Sequence, residues 1–89
     1  MPYIKQEQRS EIDERMEELL NYVDQSWVTP GHINYMITSI LVSYLGEKGT
    51  SYKNINEVIG VLECAKLEVY RRVAAPYEDK KADENGDVY

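Results

Sequence analysis

Apolar residues recur at helical spacing in three successive stretches of the chain. The first stretch places six of them on one face: Ile12, Met16, Leu19, Leu20, Val23 and Trp27. The second stretch does the same with Ile33, Met36, Ile37, Ile40, Leu41 and Tyr44. The third carries Ile55, Val58, Ile59, Leu62, Val69 and Val73. No stretch alternates with a period of two, so the pattern predicts helices and no strands.

Residues that start and stop helices indicate where the first two helices lie. Ser10 is a candidate N-cap for the first helix, although nothing prevents a start near Lys5. Thr29 and Pro30 suit the N-cap and the first helical position of the second helix. Gly46 is then expected to end that helix in a left-handed conformation.

The third helix is predicted to open at Ser51 or Asn54 and to hold its pattern to Ala75. Pro76 then stops or kinks it, and a short helix resumes and ends at Gly86. The chain is therefore expected to form one domain with helices at residues 5–25, 30–45, 52–75 and 77–84, followed by a tail at 85–89.

The second helix differs from the others because it has no charged residue from Ile33 to Leu45. Tyr35 and Val42 even add apolar surface to its opposite side. Such a helix is expected to be buried on most of its circumference, as the central element of the fold or in an oligomer interface. We predict an all-α fold, a three-helix antiparallel bundle with a short C-terminal helical extension and a tail. We also expect it to be oligomeric, with a two-fold homodimer as the default.

Composition narrows the class of protein. The chain has 89 residues and a formal net charge of −6, which argues against a general binder of nucleic-acid phosphates. Its longest uncharged stretch is too short and too polar to span a bilayer, and no signal peptide is recognisable. The single cysteine excludes an internal disulfide. We expect a soluble cytoplasmic protein without a membrane partner.

Charge is unevenly distributed along the chain. Residues 1–27 carry seven acidic and three basic side chains, and residues 76–89 carry five acidic and two basic ones. Residues 47–75, with five basic and four acidic side chains, are slightly basic. This distribution makes like copies of the chain complementary to one another, which favours self-association.

No catalytic, cofactor or metal site is predicted. His32 is the only histidine and lacks a partner at metal-ligand spacing, and Cys64 lies among apolar neighbours, where cysteine packs as a small hydrophobe. The run "DENGD" does not fit a calcium loop, and a divalent site formed by Asp83, Asn85 and Asp87 is a weak alternative. Catalysis needs a base held by an orienting group, and no such pair is evident, so we do not expect an enzyme.

Basic and aromatic residues gather on the C-terminal part of the third helix. A nucleotide or another anion would be held by Lys66, Tyr70, Arg71 and Arg72, on the side that Tyr77 and Lys81 extend. The alternative is that these cations pair along the helix with neighbouring carboxylates. The carboxylates in reach are Glu63, Glu68, Glu78 and Asp79.

The last stretch, "PYEDKKADENGDVY", alternates charge with aromatic and apolar residues and ends in Val88 and Tyr89 after a glycine turn. A merely solvated end would be polar throughout, so this segment is expected to fold back onto a surface of this subunit, a second copy or another protein. The predicted partner-binding residues are Tyr77, Glu78, Asp79, Asn85, Asp87, Val88 and Tyr89. Tyrosine suits half-buried positions and interfaces, and the tyrosines outside the helix stripes are Tyr3, Tyr35, Tyr77 and Tyr89.

The stretches "TPGHINYMIT", "EVIGVLECAKLEVYRRV" and "APYEDKKADENGDVY", with the "MPYI" start, resemble a family of small proteins carried by bacteria, archaea and their viruses. That family has no assigned activity, so the resemblance implies a setting and not a mechanism. It implies that the family pattern is carried by Tyr70, Arg71, Arg72, Pro76, Tyr77, Glu78, Asp79, Lys80, Asn85, Gly86, Asp87, Val88 and Tyr89.

Three functional hypotheses follow. The first is a non-enzymatic adaptor that self-associates through its helices and docks through its C-terminal segment on its own dimer or on a host protein. The second is a binder of a nucleotide or anion at the basic patch of Lys66, Tyr70, Arg71 and Arg72. The third is a mimic of DNA, with the acids at both chain ends presenting spaced negative charge.

Overall fold

A computed structural model describes residues 4–89 of the chain. Its elements are α1 (Gln6–Val23), α2 (Pro30–Lys48), α3 (Tyr52–Val69), a π-helical turn (Tyr70–Ala74) and α4 (Ala75–Asn85). Residues 4–89 contain no strand, and the predicted all-α class, with three long helices and a short C-terminal extension, is confirmed. The chain divides into two compact units, Met1–Ile40 and Leu41–Tyr89, which are described separately.

In the first unit, α1 begins one turn earlier than its candidate cap. The backbone N–H of Lys5 donates to Oε1 of Gln8 at 3.2 Å, and α1 starts at the next residue, Gln6. Ser10 lies inside the helix, where its hydroxyl donates to the carbonyl of Gln6 at 3.2 Å. The prediction that Ser10 caps the helix is therefore wrong, whereas the start near Lys5 is confirmed.

An aromatic cluster occupies the connection between α1 and α2. The rings of Tyr22 and Trp27 pack edge to face with centroids 5.0 Å apart, and Trp27 packs in the same way on His32 at 5.7 Å. The Thr29 backbone N–H donates to Nδ1 of His32 at 2.9 Å. His32 thus ties the first turn of α2 to the residue that precedes the helix, and α2 begins at Pro30 as predicted.

In the second unit, α2 ends later than the sequence suggested. Gly46 lies within the helix, which continues to Lys48. The residue with left-handed backbone is Gly49, with φ of 99°, and its N–H donates to the carbonyl of Leu45 at 2.8 Å. The prediction that Gly46 is the cap is wrong, because Gly49, three residues on, is also a glycine and lets the helix gain almost another turn.

The turn between α2 and α3 is fixed by two side chains. The hydroxyl of Ser51 accepts the backbone N–H of Asn54 at 3.1 Å, so Ser51 is the N-cap of α3. The Asn54 side chain amide donates to the carbonyls of Lys48 at 3.2 Å and Gly49 at 2.8 Å. Asn54 therefore satisfies carbonyls at the end of α2 that have no partner within the helix.

Pro76 neither stops the helix nor leaves a gap in it. The backbone stays helical from Tyr52 to Asn85, but the turn before the proline widens into a π-helix in which the N–H of Ala75 donates to the carbonyl of Tyr70. Proline has no N–H to give to the carbonyl four residues earlier, and a wider turn accommodates that missing bond. Of the two predicted alternatives, the one in which Pro76 stops the helix is thus wrong, and the one in which it kinks the helix stays a prediction. Gly86 ends α4 with φ of 85°, as expected.

Burial within the described residues 4–89 is sparse, since Val58 of α3 is the one side chain there that is buried. The half-buried apolar residues are Ile4, Val23, Val28, Ile33 and Met36 in the first unit, and Leu41, Leu45, Ile55, Ala74, Ala75 and Ala82 in the second. The prediction that Ile33 to Leu45 is shielded nearly all the way round is wrong for a single chain, because α2 has no buried residue.

Candidate interaction surfaces

The apolar stripe of α3 is largely uncovered. The side chain of Val58 is 5% exposed, but Ile59 beside it is 57% exposed and Leu62 is 40% exposed, and the fraction reaches 62% at Val69 and 63% at Val73. Val58 is thus covered, and the later turns of the stripe face solvent. Cys64 and Gly60, on the other side of α3, are exposed as well. The expectation that Cys64 packs as a small hydrophobe is therefore wrong within one chain.

The stripe on α1 is also open to solvent. Its exposed members are Ile12, Met16, Leu19 and Leu20, and the last of these is half exposed. On α2, Ile40 is 59% exposed and Val42 is 60% exposed, although they point to opposite sides of the helix. The charge-free helix therefore presents apolar surface in two directions.

The predicted basic patch pairs with its own carboxylates. Nζ of Lys66 lies 3.1 Å from Glu63, while Nε of Arg72 and Nη1 of Arg71 lie 3.0 and 3.6 Å from the same oxygen of Glu68. Tyr70, which opens the π-helical turn, is half exposed beside them. The structure thus brings the four patch residues to one stretch of helix, but with their cations engaged along that helix, as the alternative interpretation expected.

The positive charge of the patch affects the pKa of the Glu68 carboxyl. The hydrogen bond that the Arg72 guanidinium donates holds the pKa of the Glu68 carboxyl below its ordinary value, and the positive charges of Arg72 and Arg71 add to this effect. Partial burial opposes it, because desolvation disfavours the charged carboxylate. Glu68 is thus the carboxylate to which both arginines are anchored.

The C-terminal segment forms a turn beside the last turns of α4. Gly86 redirects the chain, and the Tyr89 N–H donates to Oδ1 of Asp87 at 3.1 Å. A groove of about 310 Å³ results, lined by Glu78, Lys81, Ala82, Asn85, Gly86, Asp87, Val88 and Tyr89. Five of the seven predicted partner-binding residues therefore meet at one place.

The apolar side chains of this segment are displayed and not packed. Val88 is 85% exposed, and Tyr89 is fully exposed. Two of the predicted residues, Tyr77 and Asp79, do not line the groove. The ammonium of Lys81 lies over the Tyr77 ring, 5.6 Å from its centroid, and Asp79 is exposed on α4. The expectation that the segment folds back onto a surface is not met by its apolar pair within the single chain, where both side chains are exposed. Packing on a second copy or on another protein stays a prediction.

A second groove lies in the first unit and was not anticipated from the sequence. It has a volume of about 520 Å³ and is lined by Leu19, Tyr22, Thr29, Gly31, His32, Tyr35 and Met36. Its sequence signal is the pair Trp27 and His32, five residues apart across the Thr-Pro start of α2. Tyr35, one of the tyrosines singled out, is exposed at the edge of this groove, whereas Tyr3 lies outside the described residues.

No group of three or more His, Cys, Asp or Glu side chains converges on a metal-binding position within residues 4–89. Among the helices of the same range, none is both long and apolar enough to cross a membrane.

Comparison with known proteins gives one match. Neither a curated protein nor a solved structure is significantly similar to the chain. The model of a family described as a domain of unknown function, DUF6899, matches residues 1–88, which is nearly the whole chain. The chain therefore belongs to the DUF6899 family.

Proposed function

We propose that this protein is a non-enzymatic interaction protein that self-associates through the apolar faces of its helices. Residues 76–89 serve as its docking element for a protein partner. The observation that carries the proposal is that one side chain, Val58, is buried among the described residues while three helices expose apolar stripes.

The exposed apolar side chains support self-association. Interfaces of obligate homodimers are more hydrophobic than the rest of the surface and resemble a domain core cut in half. Monomeric soluble proteins rarely expose contiguous apolar patches larger than a few hundred Å².

The character of α2 supports the same conclusion. One side of α2 carries Val42 and Tyr35, and the other carries Ile40 and Tyr44. Neither side is therefore a charged face that solvent would favour. A helix that is apolar all round needs a partner on more than one side. A second copy of the chain provides that partner without requiring any other component.

The docking role of residues 76–89 rests on the geometry of their turn. The Gly86 turn and the Asp87 hydrogen bond favour a turned conformation of the segment, which reduces the entropy lost on binding. Val88 and Tyr89 then provide an apolar pair, and tyrosine is frequent among the residues that dominate binding energy. A host protein is the expected partner, in the bacterial, archaeal or viral setting that the sequence resemblance implies.

Sedimentation velocity over a concentration range of about 1–100 μM, which brackets common affinities, tests self-association. We expect a dimer or larger species that dissociates on dilution. A strict monomer throughout the range, unchanged when residues 83–89 are deleted, would contradict the proposal.

Photo-crosslinking tests the docking segment. A photoreactive amino acid in place of Tyr89 is expected to give one discrete adduct in the native host, and Val88→Asp should abolish that adduct. The matched control places the same photoreactive group at Tyr52, which is equally exposed at the start of α3. Identical adducts from positions 89 and 52 would show only random collision and would refute the docking role.

Binding of a nucleotide or another anion is a second candidate, favoured by the exposed ring of Tyr70 beside Lys66, Arg71 and Arg72. It ranks lower because Glu68 already engages both arginines. Thermal-shift measurements with millimolar ATP or phosphate decide the matter. A shift that Arg71→Ala and Arg72→Ala remove would support the site, and no shift would eliminate it.

A further inference from the structure

Two of the exposed stripes carry opposite charge at their edges. Helix α1 has six acidic and two basic residues. Two of the acids, Asp13 and Glu17, lie three residues before Met16 and Leu20, and are therefore direct neighbours of the stripe on the helix surface. The apolar face of α1 thus has an acidic border along the side of Asp13 and Glu17, whereas Arg9 and Arg15 are neighbours of Ile12.

The uncovered half of the α3 stripe has a basic border. Lys66 lies four residues after Leu62 and three before Val69, and Arg72 lies three residues after Val69. Residues 62–74 carry three basic side chains against two acidic ones. The border is therefore opposite in sign to that of α1.

The present partners of these cations do not prevent new contacts. The side chains of Lys66 and Glu63 are 70% and 56% exposed, and those of Arg72 and Glu68 are 65% and 32% exposed. Exposed pairs three or four residues apart on one helix contribute only a few tenths of a kcal/mol each. An approaching acidic surface can therefore share or replace them.

We propose that the α1 stripe of one copy packs on the exposed second half of the α3 stripe of a second copy, and that the contact is made twice in a two-fold dimer. This inference rests on the proposed self-association and specifies its surface. Apolar residues pack at the centre of each contact, Asp13 and Glu17 face Lys66 and Arg72 at its border, and two such contacts close the assembly.

The reciprocal arrangement can be tested by mixing two charge-reversed chains. One chain carries Asp13→Lys and Glu17→Lys, and the other carries Lys66→Glu and Arg72→Glu. Alone, each chain places like charges opposite one another at both contacts of its homodimer. In the mixture, every contact of the heterodimer joins opposite charges again.

We expect each variant alone to associate at least about tenfold more weakly than the native chain, because four attractive border pairs become repulsive. An equimolar mixture is expected to recover the native affinity as a heterodimer in sedimentation. The matched controls are Glu14→Lys with Glu18→Lys on α1 and Lys53→Glu with Arg71→Glu on α3. They change the net charge equally, away from the stripes, and should have little effect.

Undiminished association of either variant, or weakened association without recovery on mixing, would overturn the proposed contact. Packing of α1 on α3 within one chain would give no recovery on mixing. Packing of two α3 helices on each other would leave the chain with Asp13→Lys and Glu17→Lys as strongly associated as the native chain. If the native chain does not associate at all, the proposed function itself fails, so the two failures are distinguishable.

A crosslinking measurement keeps the proposal testable if a reversed chain loses its helical structure. Met16→Cys in one chain and Val69→Cys in another, each combined with Cys64→Ser, should form a mixed disulfide dimer under mild oxidation. Glu14→Cys in place of Met16→Cys is the control. Equal yields from positions 14 and 16 would refute the assigned face of α1.

Discussion

At the scale of single residues, polar side chains fix the ends of helices. Asn54 joins the last carbonyls of α2 to the first turn of α3, and His32 joins the start of α2 to the residue before it. The cap formed by Ser51 could be predicted, because the serine accepts an N–H three residues along the same chain. The bonds of Asn54 could not, since they depend on how the turn at Gly49 bends.

Removal of the Asn54 side chain should destabilise the second unit. Asn54→Ala leaves two carbonyls at the end of α2 without their donors, and each lost hydrogen bond costs about 0.5–1.5 kcal/mol. Urea unfolding followed by circular dichroism should therefore give a free energy of unfolding lower by about 1–3 kcal/mol. Asn56→Ala, at an exposed position of the same helix, is the control and should change it far less.

The anchored carboxylate Glu68 predicts a pH dependence of stability. Because its pKa is lower in the folded chain than in the unfolded chain, the stabilisation is present above the unfolded pKa, ordinarily near 4.3. It is lost as the pH falls through the folded value. Glu68→Gln should thus destabilise the chain at pH 7 and have little effect below pH ~3. Equal destabilisation at both pH values would show that Glu68 acts by packing and not by charge.

At the scale of elements, the starts of helices followed from the sequence better than their ends. Proline at the first position and serine at the cap act locally and fix where α2 and α3 begin. The end of α2 depended on a choice between two glycines, Gly46 and Gly49, that local pattern alone does not make. The π-helical turn before Pro76 was missed because it requires a rearranged set of backbone hydrogen bonds, which no residue pattern specifies.

The two glycines of α2 should respond to alanine in opposite directions. Gly46 lies inside the helix with open space where a Cβ would be added, so Gly46→Ala should stabilise the chain by about 0.5–1 kcal/mol. Gly49 has φ of 99°, and Gly49→Ala should destabilise it by about 1–2 kcal/mol through backbone strain. Thermal or urea unfolding of the pair measures both. Destabilisation by Gly46→Ala together with stabilisation by Gly49→Ala would instead place the end of α2 at Gly46.

At the scale of the whole molecule, periodicity predicted which faces are apolar but not what covers them. The helical spacing of Ile40 and its neighbours forms an apolar stripe that is stabilised by burial. A partner chain can bury it as well as another part of the same chain can. The expected burial of α2 therefore failed within one chain, although its α-helical structure was correct. The C-terminal turn was foreseen in outline because Gly86, Val88 and Tyr89 act over a few residues.

Coupling between folding and self-association gives the last prediction. If the stripes are covered only in the oligomer, dilution removes stabilisation, and each tenfold fall in concentration lowers the apparent free energy of unfolding of a dimer by about 1.4 kcal/mol. The urea midpoint should therefore rise with concentration for the native chain. Ile40→Asp would bury a carboxylate at the interface and abolish this rise, while Thr50→Asp, at an exposed position between α2 and α3, should preserve it. A midpoint independent of concentration in the native chain would mean that the stripes are covered within one chain.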